Sequence, residues 1–211
     1  MPQIVDITPV IRVDMAVFPG DAPFRTAQTL KISDTCPVNV AEFSMSCHCG
    51  AHADAPFHYD REGLAVDQLD LGDFVGPARV IDARGPEALC PPDLLAARLD
   101  ACPPRVLLRL VDATDPMVWP TGFRALEPET MTLLADAGVR LVGVDVPSVD
   151  PETSENLPSH EIARSRDLRI LENLALSAVE PGDYELIALP MKLEGLDAAP
   201  VRAILRPFRT S

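Results

Sequence analysis

Three of the four histidines of this 211-residue chain lie within eleven residues, and this segment restricts the local fold more than any other feature. Its polar members share even positions and are His48, His52, Asp54 and His58. An extended strand would direct side chains at even positions to one face. A straight strand would also hold the Cα atoms of His48 and His52 about 13 Å apart, close to the limit for two imidazoles that share one ion. We therefore predict a bend at Gly50 and an end to regular strand pairing at Pro56.

The residues before this segment alternate in polarity, which predicts a strand from Val38 to Cys49. Parity places Cys47 and Cys49 on the apolar face with Phe43, opposite His48. We therefore predict that both cysteines are small buried side chains rather than thiolate ligands. The chain contains no C-x-x-C motif, so the sequence gives no support for a structural zinc site of the finger type.

Imidazole and carboxylate groups on one face are a ligand set that suits zinc and related divalent cations. A single histidine is usually structural, but three beside an aspartate, in a chain with one other histidine, favour a metal site. That other histidine, His160, follows Ser159, which we expect to cap a short helix. Glu155, Glu161 and Glu172 are all candidate partners of His160, and spacing does not choose among them.

The rest of the chain alternates short strands with short helices, which predicts an α/β fold. The predicted strands are residues 4–7, 79–81, 105–111, 139–146, 184–189 and 201–205, and the predicted helices are residues 92–99 and 128–138. We expect a single domain over residues 1–211, because no Ser/Gly-rich linker or charge block marks a boundary. No internal repeat indicates a solenoid or a propeller.

Charge and composition exclude several classes of partner. The 18 basic residues against 32 acidic ones give a net charge of −14, so nucleic acids and anionic lipid surfaces would repel this chain. No apolar run approaches the roughly 18 residues that a membrane span requires. The five cysteines are odd in number and no secretory leader is recognisable, which predicts a cytoplasmic protein with free thiols.

Residues 48–58 resemble the H-x-G-x-H-x-D-x-P-x-H signature of the metal-dependent hydrolases called the cyclase family, and meet all six of its fixed positions. Residues 18–21, 143–150 and 170–174 are similar to segments of a group within that family, the bacterial kynurenine formamidases. The resemblance runs from end to end of the chain. It implies the swivelling β/β/α fold of the family, which is a single α/β domain with a mixed sheet and short helices.

The resemblance also implies a homodimer with two zinc ions per subunit, with manganese as an alternative metal. It makes His48, His52 and Asp54 the ligands of the first ion. Asp54 would bridge to a second ion that is held by His160 and Glu172. The resemblance thus selects one of the three glutamates that spacing leaves open.

The activity that the resemblance implies is hydrolysis of N-formyl-L-kynurenine to L-kynurenine and formate, in tryptophan degradation. A metal-bound hydroxide would attack the formyl carbon, and His58 would act as the general acid/base that protonates the leaving aniline nitrogen. Phe18, at a position where the family usually has tryptophan, would contact the aromatic ring of this substrate. The chain contains no G-x-S-x-G motif, which disfavours a serine mechanism.

Two alternative functions remain open at the level of sequence. Another hydrolase of the cyclase family could use the same ligands, with zinc or manganese, to open a lactam, a lactone or an isatin-like cyclic amide. A metal-binding regulatory or storage module without catalysis would also explain the ligands, but it gives no role to His58.

Overall fold

The computed structural model of the chain describes residues 4–113 and 115–207. Within them the strands are β1 (Val5–Asp6), β2 (Arg25–Leu30), β3 (Val40–Ser44), β4 (His52–Asp54), β5 (Val75–Asp82), β6 (Leu89–Cys90), β7 (Arg105–Arg109), β8 (Ala125–Leu126), β9 (Leu141–Val144), β10 (Arg169–Glu172), β11 (Gly182–Ile187), β12 (Ala198–Pro200) and β13 (Ile204–Pro207). The α-helices are α1 (Asp93–Ala96), α2 (Pro128–Asp136) and α3 (Pro158–Arg166). Short 3-10 helices span Pro56–His58, Val66–Gln68 and Leu71–Asp73. None of the helices in the described ranges is long and apolar enough to cross a membrane.

Nine strands form the main sheet in the order β1-β13-β11-β5-β7-β9-β10-β4-β12. The central strands β5, β7, β9 and β10 run parallel, and antiparallel strands extend the sheet on both sides. Strands β9 and β10 are buried along their whole length, as expected for parallel strands covered on both faces. The α/β class predicted from the sequence, with its mixed sheet and short helices, is confirmed.

Two buried clusters pack on opposite faces of this sheet. Alternate residues of β7 divide between them, because Leu107 belongs to one cluster and Val106 and Leu108 to the other. The second cluster includes Met131 of α2 and Ala163 of α3, so these helices cover that face. The face with Leu107 is covered mainly by loops and short 3-10 helices, and Ala53 of β4 packs against it. His52 and Asp54 alternate with Ala53 and therefore point to the opposite face, where α3 lies.

The strand predicted over residues 38–49 is wrong in its second half. Strand β3 ends at Ser44, and a turn at Cys47 and His48 follows. All five residues of β3 are exposed, because among the described strands β3 pairs with β2 alone, in a hairpin outside the main sheet. Cys49 is buried as predicted, but Cys47 is only partly buried, so its interpretation as a core side chain is wrong.

Candidate metal centre

Strand β4 carries two of the predicted ligands and lies between β10 and β12. Antiparallel pairing sets His52 opposite Glu172 of β10 and Asp54 opposite Ala198 of β12. The predicted bend before β4 is present, since Gly50 has a positive φ of +73°. Because of this bend, the side chain of His48 lies beside that of His52, and the centroids of the two rings are 4.8 Å apart.

His58 reaches the same place from the other end of the segment. Pairing ends after Asp54, and Pro56 begins a 3-10 helix that ends at His58. The rings of His48 and His58 are 4.3 Å apart between centroids. The four polar residues predicted to share one face therefore do meet, although a turn and a short helix bring them together instead of one continuous strand.

Gly63 allows this short helix to pack closely against the loop that follows it. A Cβ atom at Gly63 would lie 2.4 Å from the carbonyl carbon of Pro56 and 2.6 Å from the amide nitrogen of Phe57. We expect Gly63→Ala to displace the Pro56–His58 helix and to lower the free energy of unfolding by about 1–3 kcal/mol. Chemical denaturation checks this expectation against Glu62→Ala, a change at the exposed neighbour. Equal stability of the two variants would contradict it.

His160 enters the site from the first turn of α3. The predicted Ser159 cap is wrong, because the Ser159 hydroxyl donates to the Leu126 carbonyl instead. The carboxylate of Asp150 takes the role of the cap and accepts the backbone N–H groups of Ser159 and His160, at 2.9 and 3.0 Å. The same carboxylate lies 2.7 Å from Nδ1 of His160 and so fixes the direction of that imidazole.

The two carboxylate oxygens of Asp54 face two separate groups of imidazole nitrogens. Oδ1 lies 3.2 Å from Nδ1 of His48 and 3.3 Å from Nε2 of His52. Oδ2 lies 3.5 Å from Nε2 of His160. Glu172 also lies between the groups, with its oxygens 3.4 Å from Nε2 of His52 and 3.9 Å from Nε2 of His160. Contacts of 3.9 Å or less through Asp54 and Glu172 thus connect all five predicted ligands in one cluster.

This donor set fits divalent cations. Six buried side-chain atoms of the described residues have no hydrogen-bond partner, and four of them belong to this centre: Nε2 of His52, Nε2 of His160 and both carboxylate oxygens of Asp54. Leaving such atoms unsatisfied costs about 1–3 kcal/mol each, and a cation would satisfy them together. Two ligands in a tetrahedral zinc site are about 3.4 Å apart, close to the separations that Asp54 makes with the three imidazoles.

The charges at the site also attract cations. Burial opposes protonation of His52, but the carboxylates of Asp54 and Glu172 outweigh it and raise the pKa of His52 to about 10. Burial likewise opposes protonation of His160, but the carboxylates of Asp150 and Asp54 outweigh it and raise the pKa of His160 to about 10. Although burial disfavours the Asp54 anion, the surrounding imidazoles hold its pKa well below the usual range. A divalent cation would replace the protons that these carboxylates attract.

In each of the three candidate ligand histidines, the nitrogen that faces away from Asp54 has an acceptor. Nδ1 of His52 lies 2.9 Å from the Gly50 carbonyl, and Nε2 of His48 lies 3.1 Å from the Asp197 carboxylate. Both oxygens can only accept, as can Asp150 beside His160, so the protons sit on these outer nitrogens. Once a cation replaces the protons on the inner nitrogens, their lone pairs point to it, which is how metal-binding histidines are usually oriented.

A cavity of about 430 Å³ opens beside this centre, within the size range of small-molecule sites. His48, His58 and His160 line one part of it. Phe18 and Trp119 line another part, with ring centroids 5.4 Å apart and edge-to-face geometry. Cys47, expected in the core, also borders this cavity. Sequence reasoning pointed to Phe18 but gave no role to Trp119, Asp150 or Asp197. Asp150 ends the family-like segment 143–150, whereas no local motif marks Trp119 or Asp197.

Comparison with known proteins identifies the family. The family model described as "Putative cyclase" matches residues 5–151. The chain belongs to the cyclase family. Within this family it is 50% identical over 206 residues to the kynurenine formamidase of Bordetella avium, an alignment that covers 98% of this chain and 99% of the relative.

Solved structures of other proteins share the fold. A predicted metal-dependent hydrolase from Bacillus stearothermophilus is 28% identical, with a TM-score of 0.82 over 99% of this chain and all of that one. An isatin hydrolase bound to the product analogue thioisatinate has a TM-score of 0.84 over 97% of this chain and 92% of its own, at 20% identity. At that identity the isatin hydrolase demonstrates a common fold and nothing about substrate.

Proposed function

We propose that this cyclase-family protein is a metal-dependent kynurenine formamidase. It hydrolyses the formyl amide of N-formyl-L-kynurenine to L-kynurenine and formate, as a step in tryptophan degradation. The observation that carries this proposal is the 50% identity with the Bordetella avium enzyme over nearly the full length of both chains. Residues 1–211 are the proposed single hydrolase domain.

The proposed ligands divide into two sets joined by Asp54. His48, His52 and Asp54 hold the first ion, and Asp54 with His160 and Glu172 holds the second. Zinc is the proposed metal, with manganese as the alternative, because imidazole and carboxylate donors suit both. Two such ions would supply Lewis acidity at the formyl oxygen and a water of lowered pKa. The separate contacts of the two Asp54 oxygens support this division.

His58 is the proposed general acid/base. Its side chain lines the cavity and is partly open to it, with about a third of its surface exposed. An imidazole is suited to proton transfer at neutral pH. As the amide C–N bond breaks, the aniline nitrogen needs a proton, and His58 is placed to hold and deliver it.

The aromatic part of the cavity is the proposed binding site for the substrate ring. Phe18 is 43% exposed and so retains surface for an incoming ring. Trp119 packs edge-to-face on it, and aromatic pairs of this kind are favourable by about 0.5–1.5 kcal/mol beyond area burial. Phe18 offers the stacking surface of the usual tryptophan without its N–H donor.

The proposed assembly is a homodimer in the cytoplasm. The β2–β3 hairpin and its flanking residues expose large apolar side chains, which are Leu30, Ile32, Val38, Val40 and Phe43. Apolar groups concentrated in this way favour a protein partner, and a second copy of the chain is the partner we propose. The five cysteines are all unpaired, which supports a reducing compartment.

Metal removal tests this function. We expect the purified protein to hydrolyse N-formyl-L-kynurenine, to lose at least about 100-fold of its activity after prolonged dialysis against EDTA, and to recover it with zinc or manganese, because the ions supply the water and the Lewis acid. The assay follows the appearance of kynurenine, with elemental analysis of the same samples. Unchanged hydrolysis in metal-free samples would refute the metal mechanism. Hydrolysis of isatin instead of formylkynurenine would favour the alternative substrate class.

A further inference from the structure

Asp197 is an acid at the centre that neither the signature nor the two ligand sets includes. It directly precedes β12, the edge strand that pairs with β4. Its backbone carbonyl accepts the N–H of Ala55 at 2.9 Å, and its neighbour Ala198 lies opposite Asp54 in the register. Strand β12 therefore fixes the backbone of Asp197 beside the histidine-rich segment.

One carboxylate oxygen of Asp197 contacts two histidines with different proposed roles. Oδ2 lies 3.1 Å from Nε2 of His48, a proposed metal ligand, and 3.4 Å from Nδ1 of His58, the proposed acid/base. A carboxylate oxygen has lone pairs for two donors, so both contacts can exist at once. The contact with His58 is longer than a usual hydrogen bond, and such contacts in active sites commonly shorten when substrate binds.

The direction of each ring distinguishes Asp197 from the proposed ligands. His48 turns Nδ1 toward Asp54 and the opposite nitrogen toward Asp197. Asp197 thus contacts the nitrogen of His48 that faces away from Asp54. Asp150 makes the same kind of contact with His160. At His58, a proton held on Nδ1 leaves Nε2 as the nitrogen that exchanges a proton with substrate.

We propose that Asp197 is a positioning residue that fixes the tautomer and orientation of both His48 and His58. This inference rests on the proposed function, since His58 acts as a general acid/base only if the protein is a hydrolase. Through His48, Asp197 raises metal affinity, and through His58 it raises turnover. Asp197 also borders the cavity, so a positioning role predicts specifically that the Michaelis constant is independent of it.

The test compares Asp197→Asn, which keeps size and removes charge, with Glu194→Gln, a matched change at an exposed acid of the same segment. We expect Asp197→Asn to retain the melting temperature of the control and the same number of bound ions at excess metal. Competition with a chromophoric chelator should show about 10–100-fold weaker metal binding, and kcat at saturating metal should fall by about 10–100-fold. KM for N-formyl-L-kynurenine should stay within about twofold, as expected for loss of a transition-state effect.

Each contrary outcome has a distinct meaning. Unchanged kcat at saturating metal would refute the positioning of His58 by Asp197. Unchanged metal affinity would refute the positioning of His48 by Asp197. Loss of one bound ion at excess metal would also overturn the proposal, because His48, His58 and Asp197 lie close enough to be joint ligands. If the wild-type protein fails to hydrolyse N-formyl-L-kynurenine, the proposed function fails, and the chelator competition still decides the role at His48.

Discussion

Asp54→Asn is expected to yield a folded protein that has lost its metal and its activity. Asp54 is the residue shared by both proposed ligand sets, and its buried carboxylate supplies the negative charge on which both depend. Asparagine keeps the shape of the side chain but offers one neutral oxygen, so neither ion is held by a bridging anion. Removing a residue that only hydrogen-bonds to a metal ligand typically lowers activity by up to about 100-fold. Removing Asp54, a proposed ligand itself, should lower it by more.

Elemental analysis after gel filtration measures this effect directly, with Glu62→Gln as a control at an exposed acid of the same region. Loss of a buried charge partner can cost several kcal/mol of folding stability. Circular dichroism is therefore needed to check that the variant is folded. A folded Asp54→Asn protein that keeps two ions per chain would show that Asp54 does not join the two sets.

His58→Ala is expected to lose turnover, as Asp54→Asn does, but to retain its metal. His58 is more exposed than the proposed ligands and lies at the cavity, so its removal should leave the content of bound metal unchanged. Loss of a general acid should lower kcat by about 10²–10⁴-fold. KM for N-formyl-L-kynurenine should change little.

The leaving group provides an independent readout of this role. An anilide with an electron-withdrawing nitro group leaves with less need of a proton, so N-formyl-4-nitroaniline should lose much less rate in His58→Ala than N-formyl-L-kynurenine does. Equal losses on both substrates would refute protonation of the leaving group by His58. A fall in metal content would instead assign His58 to the ligands, which its proximity to Asp54 and His160 makes a real alternative.

Local patterns in the sequence predicted the elements that short-range rules control. Helix α2 lies within the predicted range, with Pro128 at its start and Gly138 just beyond its end, because the φ preferences of these two residues act locally. The bend at Gly50 was predictable for the same reason. The alternation through residues 38–49 misled because an alternating pattern does not reveal whether its apolar face meets the core, and β3 is exposed throughout.

The parts of the site that depend on tertiary pairing were not predictable from spacing. Glu172 stands beside His52 because β10 pairs antiparallel with β4, and no spacing in the sequence encodes that register. Strand β12 consists of Ala198, Ala199 and Pro200, which have little preference for strands, and so Asp197 carried no local signal. Resemblance to the cyclase family selected Glu172, but it gave no role to Asp197.

The candidate ligands come from three separate parts of the chain: the segment that leads into and includes β4, the first turn of α3, and the end of β10. An unfolded chain does not hold these groups together, so ions that bind the assembled site stabilise the native state by mass action. At a free metal concentration 100 times the dissociation constant, one such site contributes about 2.7 kcal/mol. With the proposed ions, we therefore expect the stability of this protein to depend on the metal concentration around it, so that metal limitation weakens the fold together with the proposed catalytic centre.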